Sequence, residues 1–200
     1  MWRTFALVCV TGAALAGLSG CPSIFSGIVY FPDAALESAV RASIGKPLGL
    51  LTRDDLLDAR EIQASALNIR NLEGLQYCRF LQTLDLRTNL VQSITPLEGL
   101  VNLRRLDLGD NEVTNIEALA GLFFLEEVIL FGDGNEIINW SPLAANSRAG
   151  GLGDGDILNL PVKTTLDEEG NVLDYWFEDY QALLDAGVVL IFSEPDTGAN

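Results

Sequence analysis

The stretch LQTLDLRTNLVQSITPLEGL, starting at Leu81, recurs 22 positions later as LRRLDLGDNEVTNIEALAGL and again from Leu125, with two extra residues, as LEEVILFGDGNEIINWSPLA. Leu81, Leu84, Leu86, Asn89, Val91, Ile94 and Leu97 of the first copy match Leu103, Leu106, Leu108, Asn111, Val113, Ile116 and Leu119 of the second. The third supplies Leu125, Val128, Leu130, Asn135, Ile137, Trp140 and Leu143. Self-similarity at this period defines units that cannot bury an apolar face alone. In each, the L-x-L pair puts two side chains on one face of a short strand, because strand side chains alternate. The Asn falls at the bend, where an amide can donate and accept at once and so pair backbone groups that the turn leaves open. Coils of this kind gain a core only by stacking.

The pattern is a leucine-rich repeat, and its period with the T-P-L-E-G-L and S-P-L-A segments resembles the bacterial, internalin-like 22-residue class. The resemblance covers roughly residues 31–192, with its most specific motifs between Ile62 and Leu143. It implies an α/β solenoid: a short right-handed stack of parallel strands on a concave side, 3₁₀ segments on the convex side, and protein binding as the usual activity. Leucine-rich helices aligning by chance would not also keep Asn and the Pro-Leu corners in register.

The chain begins MWRTFALVCVTGAALAGLSGC, with one Arg, an apolar run and Leu18-Ser19-Gly20-Cys21. This reads as a lipoprotein signal peptide over residues 1–20, with the Cys21 thiol as acceptor of a diacylglyceryl group. An ordinary secretory signal and an uncleaved anchor are the alternatives, although the run is short for a span of about 20 residues. Residues 21–30 form a tether. In lipoproteins that this segment resembles, Asp after the Cys favours the inner membrane. Pro22 stands there, so the expected location is the bacterial cell envelope, at the outer membrane if the cell has one.

Twenty-eight acidic residues against 12 basic ones disfavour nucleic acid and electrostatic docking on anionic lipid, leaving acyl chains as the membrane link. No histidine is present, which removes the usual general base and the commonest metal ligand. Carboxylate-only catalysis needs two acids in a cleft, and the pattern marks no such pair. The chain is therefore read as non-catalytic and without a cofactor. With Cys9 in the signal and Cys21 acylated, Cys78 is left alone, aligned with Leu100 and Leu122 as a buried, inert thiol.

Residues 31–60 read as a helical N-terminal cap: Asp33 starts a helix, Leu36, Val40 and Ile44 share a face, and Gly45 ends it. Thr52 and Asp55 form a capping box. The order F-P-D-x-x-L-E-x-A-V, then L-T-x-x-D-L, resembles the cap of the same bacterial family. Residues 61–146 hold the repeats, beginning with a degenerate coil in which Leu67 replaces the Asn. Residues 147–192 form a C-terminal cap of glycine-rich loop, strand (157–160), helix (174–186) and closing strand (188–192), and residues 193–200 a disordered tail. Asp133 with Asn135 and Glu136, and Asp154 with Asp156, are oxygen-rich, but they match no calcium-loop pattern and read as turns rather than as a metal site.

Stacking places Gln63, Asp85, Asp107, Ile129 and Asn159 in one outward row of the concave face. Glu61, Thr83, Arg105, Glu127 and Ile157 flank it on one side, and Ser65, Arg87, Gly109 and Phe131 on the other. Arg87 and Arg105 are expected to offset the Asp85–Asp107 repulsion, while Ile129, Phe131 and Ile157 form an apolar half. These seven, Asp85, Arg87, Arg105, Asp107, Ile129, Phe131 and Ile157, are the candidate partner-binding residues, and Asn89, Asn111 and Asn135 the structural amides. The resulting expectation is a protein or peptide binder. The alternative is a structural envelope lipoprotein without a specific ligand, and a cover of C-terminal chain over Phe131 is open at this stage.

Overall fold

The computed structural model describes residues 27–132, 134–161 and 165–193. Cys21, the signal and most of the tether, Asp133 and residues 194–200 lie outside them. The chain forms a leucine-rich repeat solenoid with one six-stranded sheet in sequential order: β1 (Glu61–Gln63), β2 (Thr83–Asp85), β3 (Arg105–Asp107), β4 (Glu127–Ile129), β5 (Ile157–Pro161) and β6 (Val189–Ser193). All neighbours pair in parallel. The 3₁₀ turns Leu75–Tyr77, Thr95–Leu97 and Glu117–Leu119 return the chain behind the first four strands. Ile62, Leu84, Leu106, Val128 and Leu158 point from successive strands into one continuous buried core.

The asparagines stitch each coil to the one before it. Asn111 Oδ1 accepts from Val91 N (3.0 Å), and its Nδ2 donates to Leu86 O, Leu108 O and Gly109 O at 2.9, 3.1 and 3.2 Å. Asn135 does the same for Val113 N, at 2.9 Å, and for the Leu108, Leu130 and Phe131 carbonyls. Asn89 also serves the coil that lacks its own amide: it accepts from Leu67 N and Ile69 N, both at 3.0 Å, and donates to Ala64 O at 2.8 Å. Leu67 itself is exposed.

At the N-terminal end α1 (Ala34–Ser43) lies against β1. Asp33 Oδ1 accepts from Ala35 N and Leu36 N, while Oδ2 accepts from Arg70 N at 2.9 Å, so one carboxylate both starts the helix and ties it to the first coil. Burial raises its pKa, but the N–H groups of Arg70, Leu36, Asn71 and Ala35 outweigh burial and hold it below the ordinary value. Thr52 and Asp55 bond reciprocally, Thr52 N to Asp55 Oδ2 at 2.7 Å and Asp55 N to Thr52 Oγ1 at 3.3 Å. Lys46, then Thr52, lowers Asp55 to about 2. Cys78 is buried, and burial pushes its thiol up to about 12, leaving no thiolate at neutral pH.

The C-terminal end departs from the sequence expectation. S-P-L-A opens an α-helix, α2 (Ser141–Arg148), in place of another 3₁₀ turn. Pro142 suits the first turn, two alanines follow, and buried Asn146 donates to Leu119 O and Leu122 O and accepts from Leu152 N. The 174–186 segment is a 3₁₀ turn, Asp174–Trp176, continuing into α3 (Phe177–Asp185). Trp176 packs between Trp140 and Tyr180, with centroids 5.7 and 5.3 Å away, and donates Nε1–H to Thr165 O. The closing strand joins the main sheet as β6, and Ser193, expected in the tail, ends it opposite Pro161.

Candidate binding face

Strand alternation turns three ladders of side chains outward. The register sets Gln63, Asp85, Asp107, Ile129, Asn159 and Ile191 in line, and beside them Glu61, Thr83, Arg105, Glu127, Ile157 and Val189. The sheet extends one strand beyond the five that the sequence lines up on this face, four from the repeats and one from the C-terminal cap, and the addition is apolar: Val189 is 45% and Ile191 42% exposed. Charge on this face ends where the apolar side begins, at β4. Among the described residues of the apolar half, Ile129 and Ile157 are half-buried, and Asn159 Oδ1 is buried without a hydrogen-bond partner.

Phe131 is half-buried, and what holds it is lateral. A Cβ on Gly109 would stand 3.0 Å from the Phe131 ring, so the glycine of the preceding coil makes the space that the ring fills. The Arg87 guanidinium lies 5.1 Å from the ring centroid on the coil before that. Phe131 is thus neither a free anchor nor buried core, and a charge placed there would disturb packing as well as any contact with a partner. Val189 and Ile191 are cleaner probes.

The charged half differs from expectation in the partners of its two arginines. Arg105 reaches Glu127, its neighbour in register, at 3.7 Å, and Arg87 reaches Asp110 at 3.6 Å. Asp107 is raised above its ordinary pKa by burial, with Asp85 and Asp110 adding repulsion; the Gly109 N–H, at 2.8 Å, and the Arg87 charge oppose the shift. A shallow depression of about 160 Å³ lies here between Thr83, Asp85, Arg105, Asp107, Glu127 and Ile129. Small-molecule sites usually enclose about 300–1,000 Å³. Larger recesses of about 420, 460 and 580 Å³ lie along the 3₁₀ turns, around Gln76, Gln92, Thr95 and Glu98, away from the strand face.

Asp156 Oδ2 accepts from Gly153 N at 2.8 Å, and Asp154 packs against Gly187, so both acids serve the loop leading into β5 and its neighbour. Among the described residues no group of three or more His, Cys, Asp or Glu is placed to hold a metal ion, and no helix is long and apolar enough to cross a membrane.

A family profile described as Leucine Rich repeats (2 copies) matches residues 79–121. Among solved structures, the chain is similar to an internalin, inlF, of Listeria monocytogenes: 25% identity, TM-score 0.65, covering 82% of this chain and 44% of that one. The chain thus spans less than half of that internalin. Internalin C2 of the same organism matches over 85% of this chain and 90% of its own, at 23% identity and a TM-score of 0.47. A search of curated proteins finds no match.

Proposed function

We propose that the chain is a lipid-anchored, extracytoplasmic binding module of the bacterial cell envelope, engaging a protein or peptide through the apolar half of its concave face, without catalysis or cofactor. The observation that carries this reading is the run Ile129, Ile157, Val189 and Ile191, outward on three adjacent strands and bordered by the charged coils. Outward apolar side chains rimmed by charge mark interaction sites. Six strands at about 4.8 Å spacing make a face of roughly 24 Å, and its apolar half suits one loop or extended segment. Similarity to leucine-rich repeat proteins supports a protein partner, and Leu18-Ser19-Gly20-Cys21 supports acylation at Cys21, with Pro22 favouring the outer membrane where one exists.

The test is affinity capture from intact cells after crosslinking, with wild-type chain and Ile191→Asp in parallel. One envelope protein should be retained by the wild type and lost by the variant at unchanged melting temperature. Recovery of the same set by both, or of the bait alone, would leave the face without a ligand and favour a purely structural lipoprotein.

A further inference from the structure

The N-terminal cap carries an apolar face that the binding reading does not use. Ile28 and Thr52 form an antiparallel bridge, with Val29 N bonded to Leu51 O and Arg53 N to Gly27 O, both at 2.8 Å. Alternation sends Val29, Phe31 and Leu51 into the core. Continuing the register sets Tyr30 opposite Leu50 on the outside, where they are 77% and 63% exposed, and Leu48, across the bend at Gly49 (φ 88°), is 82% exposed. This is a held shape: Arg41 donates to Lys46 O at 3.1 Å and Gly49 O at 2.8 Å and is itself fixed by Glu37.

Two further observations say what covers this face. Cys21 precedes Gly27 by six residues, a distance of at most roughly 22 Å fully extended, so acyl chains on that thiol enter the bilayer close beside the ribbon. Charge is also distributed unevenly. Residues 27–60 hold four basic and five acidic side chains, whereas residues 61–200 hold seven and 23. An anionic membrane surface repels the repeat stack and hardly repels the cap. A tyrosine with two leucines at the near-neutral end matches the headgroup boundary, where an amphipathic ring and apolar neighbours are favoured.

We propose that the outward face formed by Tyr30, Leu48 and Leu50 rests on the lipid bilayer, so that the anchored chain stands on its N-terminal cap with the strands stacking away from the membrane. This rests on the lipid-anchor reading. Its consequence is positional: β6 lies about 24 Å farther from the bilayer than β1, which puts the apolar half of the concave face at the membrane-distal end.

The experiment uses the acylated full-length protein reconstituted in phosphatidylcholine vesicles, with a nitrobenzoxadiazole fluorophore on Leu48→Cys or, as control, on Gln92→Cys. Buried Cys78 does not compete for label. Vesicles should carry both proteins upward on flotation, and dithionite should bleach the residue-48 label several-fold more slowly than the residue-92 label. Flotation with equal bleaching overturns this inference and leaves the anchor standing. Failure to float overturns the anchor, and the inference with it. Shielding at residue 48 in the unacylated Cys21→Ser protein without vesicles assigns the face to a second copy and overturns the membrane contact.

Discussion

Replacing each ladder asparagine by Ala should not cost the same, although the three occupy equivalent repeat positions. In Asn111→Ala every carbonyl that loses Nδ2 keeps another donor: Leu86 O retains Asn89, Leu108 O retains Asn135, and Gly109 O retains Thr88 N. Only Val91 N loses its acceptor. One buried donor left unpaired costs about 1–3 kcal/mol. Asn89→Ala strips the acceptor from both Leu67 N and Ile69 N and the donor from Ala64 O, because the preceding coil has leucine where its own amide would be. Leu67 is exposed and its N–H can turn to water, so two buried groups, Ile69 N and Ala64 O, are left unpaired in place of one, at a total of about 2–6 kcal/mol. Urea unfolding of both variants at neutral pH measures the difference. Asn89→Ala should be the less stable by about 1 kcal/mol or more. An Asn111→Ala loss equal to or larger than that of Asn89→Ala would refute the ladder argument, as would losses below about 0.5 kcal/mol at both positions.

Asp33→Ala should cost about 1–2 kcal/mol at pH 7. Because the folded-state pKa of Asp33 is depressed, its contribution is present above the unfolded value, about 3.9, and is lost as pH falls through the folded value; urea curves at pH 7 and pH 3 should show the wild-type advantage shrinking. Asp107→Asn keeps the Oδ1 acceptor for Gly109 N and removes a carboxylate whose folded pKa is raised. The penalty of that carboxylate grows as pH rises through the folded value, so the variant should gain up to about 0.5 kcal/mol at pH 7 and nothing near pH 3. A gain that persists in acid would contradict the assignment. Cys21→Ser should move the protein from the detergent to the aqueous phase on phase partitioning, and continued membrane association would identify an uncleaved anchor.

What the sequence made legible is what the repeat encodes. Period and Leu-x-Leu phase set the register, and the register alone lines up Asp85 with Asp107 and places Ile129 and Ile157 outward; the same spacing turns Asn89 and Asn111 into the coils. Contacts between coils were less legible. Glu127 stands in the same row as Arg105, so this pairing follows from register, whereas the sequence reading set Arg105 on the diagonal to the Asp85–Asp107 pair. The Phe131 ring resting over Gly109 depends on a missing side chain 22 residues earlier, which no local pattern reports. β6 carries no repeat motif, since a helix and not a 3₁₀ turn delivers it to the sheet. Its outward Val189 and Ile191 are visible only once it is known to pair with β5. The N-terminal face escaped for a related reason: Tyr30 and Leu50 are apolar residues in non-repeat chain, and only the Ile28–Thr52 bridge puts them side by side.

The most direct test of the binding claim maps contact along the face itself. A photo-crosslinking amino acid would be placed singly at Glu61, Thr83, Arg105, Ile157, Val189 and Ile191 in the acylated chain, and irradiated in intact cells. Crosslinks to one partner should concentrate at Ile157, Val189 and Ile191 and fall away toward Glu61. Equal yields at all six positions, or yields that peak at the charged coils, would contradict it.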